Sequence, residues 1–313
     1  MRTEVDRARS REGRADVALF HELAPPPAGG GHQFLRALVA ELERRGLDVE
    51  LNRISGGTPV CLYNSFNFDA ARLRRFARPD VRLVHRVDGP VGVYRGFDDG
   101  TDARIARLNE LAAATVVQSR FSLEQHRALG IELRAPVVIR NAPDPSVFHP
   151  PSQRPPADGR VLRIVASSWS ANPRKGADAL ELLDRSLDPA RFSLTFVGNT
   201  TARLRTARVV PPLASTQLAS LLREHDAYLA ASRDDPCSNA LLEALACGLP
   251  AVYRRSGGHP ELVGEAGVGF DDDLGGLLEA IEELASSLDE LRARIHVPAL
   301  ADVADAYLAV LAG

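Results

Sequence analysis

Short apolar runs alternate with stretches of helical periodicity along most of this chain. Asp16–Phe20 is an apolar run of strand length, and apolar residues at helical spacing follow a glycine-rich turn and continue to Gly46. Further strands are predicted over Asp48–Asn52, Pro59–Asn64, Val81–His85, Thr115–Gln118 and Pro136–Arg140, and helices over Asp102–Ala114 and Leu123–Leu129. This alternation is typical of a parallel sheet with helices on both faces.

A proline-rich segment interrupts the alternation. Residues 141–160 read NAPDPSVFHPPSQRPPADGR. Proline lacks a backbone donor and disfavours helix in the residue before it, so we predict a linker here. The alternation then resumes, with strands predicted over Val161–Ser167, Phe192–Val197, Ala207–Val210, Ala227–Ala230 and Pro250–Tyr253, and helices over Ala177–Leu187, Thr216–Glu224, Asn239–Cys247, Leu274–Leu288 and Ala299–Leu311.

The predicted fold class is therefore α/β, with two doubly wound, Rossmann-like domains that face a cleft. The predicted boundaries are a disordered tail over 1–15, an amino-terminal domain over 16–145, a linker over 146–160, a carboxy-terminal domain over 161–296 and a final helical segment over 297–313. Ligands of such sheets bind beyond the carboxyl ends of the strands, so both domains can contribute to one site.

Composition narrows the classes of partner. The chain has 313 residues, of which 45% are hydrophobic and 25% charged, with a net charge of -3. This charge disfavours nucleic acid as the main partner. The cysteines have neither metal-binding spacing nor the density of a disulfide framework, which predicts a reducing, cytoplasmic compartment. No apolar run approaches the length of a membrane span, although peripheral membrane contact stays compatible with the sequence.

Two carboxylates bracket the start of an apolar helix in SRDDPCSNALLEALACGLP, residues 232–250. Asp235 precedes the helix and Glu243 lies within it. An ionised carboxylate offers only acceptors, which suits the hydroxyl groups of a ribose or a sugar. The residues alone leave a second interpretation open, in which Asp235 is an N-cap with Pro236 at the first helical position and Glu243 is solvated.

Ser238 is a competing N-cap for the same helix. If it has that role, the N–H groups of Asn239, Ala240 and Leu241 are free to bind phosphate.

Three further features lie near strand ends of the predicted sheets. Arg174 and Lys175 follow a strand and a polar loop, where adjacent cations suit a diphosphate or simply form a solvated turn. Gly29–Gly31 permits close backbone approach to a ligand, or is only a flexible turn. His85 ends a predicted strand, where it could reach a cleft or be a structural histidine bonded to backbone.

Several segments, in this order and spacing, resemble the retaining glycosyltransferases of family GT4, which have the GT-B architecture. The family pattern has two glutamates eight positions apart; Glu243 matches the second, and Asp235 stands at the first with a side chain one methylene shorter. The matching segments are Gly29–Gly31, VHRVDGP at 84–90, RNAPDPSVFHP at 140–150, SSWSANPRKG at 167–176, FVGN at 196–199, DPCSNALLEALACGLPAV at 235–252 and GGHPELVGEAG at 257–267.

The resemblance implies retaining transfer from a nucleotide-diphosphate sugar to a hydroxyl acceptor (a glycan, a lipid or a small metabolite), with no cofactor and no essential metal. It also implies that the final helix packs back on the amino-terminal domain. The implied catalytic residues are His85, Asp235, Lys175 and Arg174, and the implied donor-binding residues are Gly30, Gly31, Asn239, Ala240, Leu241 and Glu243.

Two other functions stay open for a chain of this architecture. One is a catalytically impaired protein that still binds sugar nucleotides, and the other is a sugar-nucleotide epimerase. The sequence does not identify the donor base, the sugar, the acceptor or the oligomeric state.

Overall fold

The first half of the chain forms a six-stranded parallel sheet. The computed structural model describes residues 13–25, 29–153 and 160–313, so most of the predicted tail and residues 154–159 of the predicted linker lie outside it. The strand order is β2-β1-β3-β4-β5-β6. In chain order, β1 to β6 are Val17–Phe20, Val49–Leu51, Val60–Tyr63, Arg82–Val87, Ala114–Val117 and Pro136–Val138.

Helices from the first half of the described chain, together with the last helix, pack around this first sheet. Because helices cover both faces, its central strands β1, β3, β4 and β5 are almost wholly buried, and all but β4 are mostly apolar. In chain order, α1 to α5 are Gly30–Arg44, Ala70–Phe76, Val91–Arg95, Thr101–Asn109 and Arg120–Ala128.

The second half forms another six-stranded parallel sheet, in the order β12-β11-β10-β7-β8-β9. Strands β7 to β12 are Leu162–Ser168, Phe192–Gly198, Arg208–Val210, Ala227–Ala230, Ala251–Arg254 and Gly267–Phe270. A 3-10 turn spans Pro173–Lys175, and helices α6 to α12 are Ala177–Ser186, Ser215–Arg223, Asn239–Ala246, His259–Val263, Leu277–Ser286, Leu288–Ala293 and Leu300–Ala312. The predicted fold class, two doubly wound domains, is confirmed.

Each sheet has a point where the strand order reverses. In the first sheet it lies between β1 and β3, and in the second between β7 and β10. Connections leave in opposite directions from such a pair of strands, so a crevice opens beyond their carboxyl ends. The residues after β1, β7 and β10 are therefore placed to bind a ligand.

The chain passes between the two domains twice. Ala142 is buried in the core of the first domain, whereas Phe148 is already buried in the core of the second. The first crossing therefore lies within residues 143–147. After the second domain, α12 returns to the first, where Val303 and Tyr307 pack in the same core as Ala142. The Nη2 atom of Arg45, directly after α1, also donates to the carbonyl of α12 residue 301 at 2.7 Å.

One helix is shorter than predicted, and several elements were not predicted. The helix predicted over Asp102–Ala114 ends at Asn109, because Ala114 begins β5. The Asn109 amide donates to Thr115 Oγ1 at 2.8 Å and thereby ties the helix end to that strand. Strand β12 was not predicted, since glycine weakens a strand pattern. Gly267 is nevertheless needed there, because a Cβ would lie 2.1 Å from the Ala251 carbonyl oxygen.

Candidate active site

A cavity of about 290 Å3 lies in the cleft between the two domains. The first domain contributes Gly29–Gly31, at the start of α1. The second contributes residues at the ends of β7 and β10, together with the start of α8. The cavity therefore lies at the points of strand-order reversal in both sheets, where α/β proteins bind ligands.

A partly buried ion pair forms one wall of this cavity. Lys175 Nζ donates to Asp235 Oδ2 at 2.6 Å, and the backbone N–H of Cys237 donates to Oδ1 at 3.3 Å. Burial raises the pKa of the Asp235 carboxyl, but Lys175 and His259 outweigh it and hold that pKa below its usual value. Asp235 is therefore an ionised acceptor that faces the cavity beside a cation.

The start of α8 forms the adjacent wall. Ser238 is the N-cap, and its hydroxyl accepts from the Leu241 N–H at 3.3 Å. The interpretation with Asp235 as the N-cap is therefore wrong. The prediction that the Leu241 N–H is free is also wrong, because that group is already bonded. Asn239 and Ala240 both line the cavity, and their N–H groups belong to the first turn, which has no intrahelical acceptor.

Glu243 is a buried carboxyl group on the same helix. Glu243 is 9% exposed, and burial raises the pKa of its carboxyl group to about 8. Its side chain makes no hydrogen bond to any residue that the structure describes. It lines a small cavity with Pro212 and Leu213, and also a larger one with Phe34 and Phe148. Glu243 is therefore not a solvated helix residue but a buried acceptor without a protein donor.

Arg174 does not join Lys175 in the cavity. Its Nη2 atom donates to Asp234, and its Cδ lies beside Gly96 of the first domain. The two adjacent cations therefore point to different partners, because the turn at 173–175 separates their side chains. The predicted role of Arg174 at a diphosphate does not fit this placement.

His85 does not reach the cleft either. It lies inside β4, is fully buried, stacks on Tyr63 at 4.3 Å between ring centroids and faces Asn109 Nδ2 at 3.1 Å. Burial lowers the pKa of its imidazole to about 3. His85 is therefore a structural residue of the first core, and its predicted catalytic role does not fit the geometry.

Asp88 and Gln118 line the cavity instead, from the first domain. Each follows the carboxyl end of a strand, β4 and β5 respectively. Gln118 Nε2 donates to Asp88 Oδ1, and Arg86 Nη1 donates to the same oxygen at 3.2 Å. Their position one residue beyond a strand end was the signal that sequence reasoning passed over in favour of His85.

The close approach of the domains depends on Gly30. A Cβ at Gly30 would lie 2.5 Å from the Asn239 Cβ, whereas one at Gly31 would meet nothing within 4 Å.

We expect Gly30→Ala to hold the domains apart and to increase the radius of gyration measured by X-ray scattering. Gly31→Ala should leave the radius unchanged, and equal radii for both variants would contradict the steric argument.

Glu261 joins the two domains on another side of the cleft. Its carboxylate accepts from the backbone N–H groups of Arg120 at 3.0 Å and Phe121 at 2.8 Å, at the start of α5. A carboxylate at a helix N-terminus satisfies unpaired donors and favours the helix dipole.

We expect Glu261→Ala to lower the free energy of unfolding by about 1 kcal/mol, because these N–H groups lose their acceptor. Urea denaturation measures the change. Glu265→Ala, which removes an exposed carboxylate nearby, is the control and should have no effect. A Glu261→Ala variant as stable as wild type would show that the interdomain contact contributes nothing.

Comparison with known proteins gives a family match and a fold match. Residues 165–287 match the family model described as glycosyl transferases group 1, and they include Lys175, Asp235 and Glu243. No match was found among curated proteins. None of the described helices is both long enough and apolar enough to span a membrane.

Several solved structures share the architecture over nearly the whole chain. Sucrose-phosphate synthase from Thermosynechococcus elongatus has a TM-score of 0.69 at 16% identity, over 94% of each chain. HepE of Anabaena, in complex with UDP and glucose, has a TM-score of 0.66 at 15% identity, over 95% of this chain and 99% of that one. WaaG, a glycosyltransferase involved in lipopolysaccharide biosynthesis, has a TM-score of 0.64 at 14% identity, over 95% and 100%. The carboxy-terminal domain therefore matches the group 1 glycosyl transferases over residues 165–287, and the chain as a whole has the GT-B fold.

Proposed function

We propose that this protein is a retaining glycosyltransferase that moves a sugar from a nucleoside-diphosphate sugar to a hydroxyl acceptor. The observation that carries the proposal is the arrangement of Lys175, Asp235 and the first turn of α8 around one cavity, with the buried acceptor Glu243 one to two turns further along the helix. The cation and the free N–H groups match the diphosphate of such a donor, Asp235 matches its sugar and Glu243 matches its ribose.

The nucleoside end of the donor is assigned to Glu243. Its carboxyl group is buried without a protein donor, and two ribose hydroxyls would supply the missing hydrogen bonds. The apolar side chains of Pro212 and Leu213 line the same small cavity and offer a surface for a base. The related HepE was solved in complex with UDP-glucose, which supports a nucleotide sugar as the ligand class.

The diphosphate end is assigned to Lys175 and to the N–H groups of Asn239 and Ala240. Negative charge grows on the leaving diphosphate as the anomeric carbon–oxygen bond breaks, and fixed positive groups stabilise that charge. Lys175 and a helix N-terminus supply them from the protein, so we propose that transfer needs no metal ion and that a chelator leaves the rate unchanged.

The sugar lies, in this proposal, between Asp235 of one domain and Asp88 of the other. Both carboxylates line the cavity and can accept from sugar hydroxyls. The acceptor oxygen attacks the anomeric carbon on the face that the diphosphate leaves, so the configuration is retained. The acceptor proton passes to a diphosphate oxygen, which balances the reaction without a protein nucleophile.

The test is to incubate the protein with UDP-, GDP-, dTDP- and ADP-sugars and simple alcohol acceptors, and to follow the anomeric protons by NMR. Transfer with an unchanged anomeric configuration supports the proposal. Inverted product contradicts retention. An epimerised nucleotide sugar identifies an epimerase, and binding without any transfer or hydrolysis identifies an impaired binding protein.

A further inference from the structure

A buried guanidinium lies at the centre of a hydrogen-bond network that joins the two domains. Arg86 is 1% exposed and lies in β4, away from the cavity wall. Its Nη2 atom donates to Asn141 Oδ1 at 3.0 Å, and its Nη1 atom donates to Asn64 Oδ1 at 2.9 Å. Asn141 in turn donates through Nδ2 to Asn239 Oδ1 at 3.0 Å. The network therefore runs from the first core, through Asn141 just before the crossing segment, to the first residue of α8.

Chemistry fixes which group donates and which accepts in every hydrogen bond of this network. A guanidinium can only donate, so the Asn141 atom that faces Arg86 must be its oxygen. The Asn141 nitrogen then faces Asn239, and the Asn239 atom that meets it must also be an oxygen. The Asn239 nitrogen is consequently turned away from Asn141. It lies beside Gly30, where an added Cβ would be 2.8 Å from it.

Asn239 thus presents N–H donors, and not its amide oxygen, on the wall of the cavity. The amide could rotate by half a turn at little steric cost, and it would then present an acceptor to the same space. An acceptor there would repel a diphosphate, whereas two donors attract it. The orientation of this amide decides whether the side chain helps or hinders an anionic ligand.

We propose that Arg86 and Asn141 are positioning residues that hold the Asn239 amide with its nitrogen towards the diphosphate of the donor. Because Arg86 and Asn141 both belong to the first domain, this contact also makes donor binding sensitive to the approach of the two domains. The inference rests on the proposed function, since it assigns the ligand of Asn239 to a nucleoside diphosphate.

The test is a double-mutant cycle on nucleotide affinity. Asn141→Asp keeps an oxygen that accepts from Arg86, but it replaces the Nδ2 donor that faces Asn239 by a second oxygen. The Asn239 amide should therefore rotate and turn its nitrogen towards residue 141. The probe is whichever of UDP, GDP, dTDP and ADP wild type binds in calorimetry. In the otherwise wild-type protein, we expect Asn141→Asp to weaken the binding of this nucleotide about tenfold or more. In the Asn239→Ala background the same substitution should have no effect, because the amide it acts on is absent.

Three outcomes separate the possibilities. An equal loss in both backgrounds would mean that Asn141 acts on structure and not through Asn239, and it would overturn the inference. Unchanged affinity in Asn141→Asp would overturn it too, while leaving the proposed function intact. No binding by wild type to any of the four nucleotides would overturn both. Asn67→Asp, at an exposed position, controls for the added charge and should bind like wild type.

Discussion

Replacing Lys175 by methionine is expected to lower the rate of sugar transfer by about 10²–10³-fold. Lys175 Nζ is 2.6 Å from Asp235 and lines the cavity where the diphosphate leaves. Removal of one preorganised positive donor withdraws stabilisation from the developing charge, so kcat should fall more than the affinity for the intact donor. Steady-state kinetics with the cognate nucleotide sugar measures both quantities.

The variant also leaves Asp235 without its cation, and a control must separate that effect. In Lys175→Met/Asp235→Asn the site is neutral again, so any loss caused only by an unpaired buried carboxylate should be reversed. We expect the double variant to stay as slow as the single one. Recovery of the rate in the double variant would show that Lys175 serves only to neutralise Asp235.

Lys175 is the only lysine in the sequence. Amine-directed acetylation therefore modifies this side chain and the α-amino group alone. Bound nucleoside diphosphate should protect Lys175 from the reagent, as measured by mass spectrometry of its peptide. Equal labelling with and without the nucleotide would place the diphosphate elsewhere.

Replacing Glu243 by glutamine is expected to weaken nucleotide binding about 10- to 100-fold at pH 8, as for the loss of charged hydrogen bonds. The pKa of Glu243 is raised to about 8 by burial, so in the free protein the group is largely protonated at pH 7. Ribose hydroxyls donate best to the ionised form. Binding should therefore release a proton, and wild-type affinity should rise between pH 6 and pH 8.

Calorimetry in buffers of different ionisation enthalpy measures this proton release. The nucleotide phosphate also titrates near pH 6, but that contribution is common to wild type and Glu243→Gln. We expect wild type to release a fraction of one proton more than Glu243→Gln does when the nucleotide binds. An identical pH dependence in both would show that Glu243 does not contact the ligand.

The raised pKa of Glu243 also predicts how the free energy of unfolding changes with pH. Its ordinary pKa of 4.5 applies to the unfolded chain, whereas the folded value is about 8. The folded state therefore keeps a proton that the unfolded state loses, and stability falls as pH rises across this window. The slope is at most about 1.4 kcal/mol per pH unit. Relative to wild type, Glu243→Gln should gain stability from pH 5 to pH 8 in urea denaturation.

The fold and part of the site follow from local patterns. Alternating strands and helices predicted both doubly wound domains, because period and length suffice to identify buried parallel strands. Asp235, Asn239 and Glu243 were found because they flank the start of a helix after a strand, and parallel sheets bind ligands there. Lys175 lies after a strand of the same sheet.

The rest depended on packing that a single sequence does not show. His85 and Asp88 are three residues apart, yet only Asp88 lies beyond the end of β4, and the exact strand end is not set by local pattern. Arg174 differs from its neighbour because Asp234 lies within reach after folding. Glu243 lines a cavity together with α1 and the crossing segment, which are distant from it in sequence.

Calorimetric titration with UDP, GDP, dTDP and ADP, one at a time, tests the central claim most directly. The account predicts that wild type binds one of them in a one-to-one complex, and that Lys175→Met and Glu243→Gln each weaken that binding. If none of the four binds, or if both variants bind as tightly as wild type, the cavity between the domains is not a nucleoside-diphosphate site.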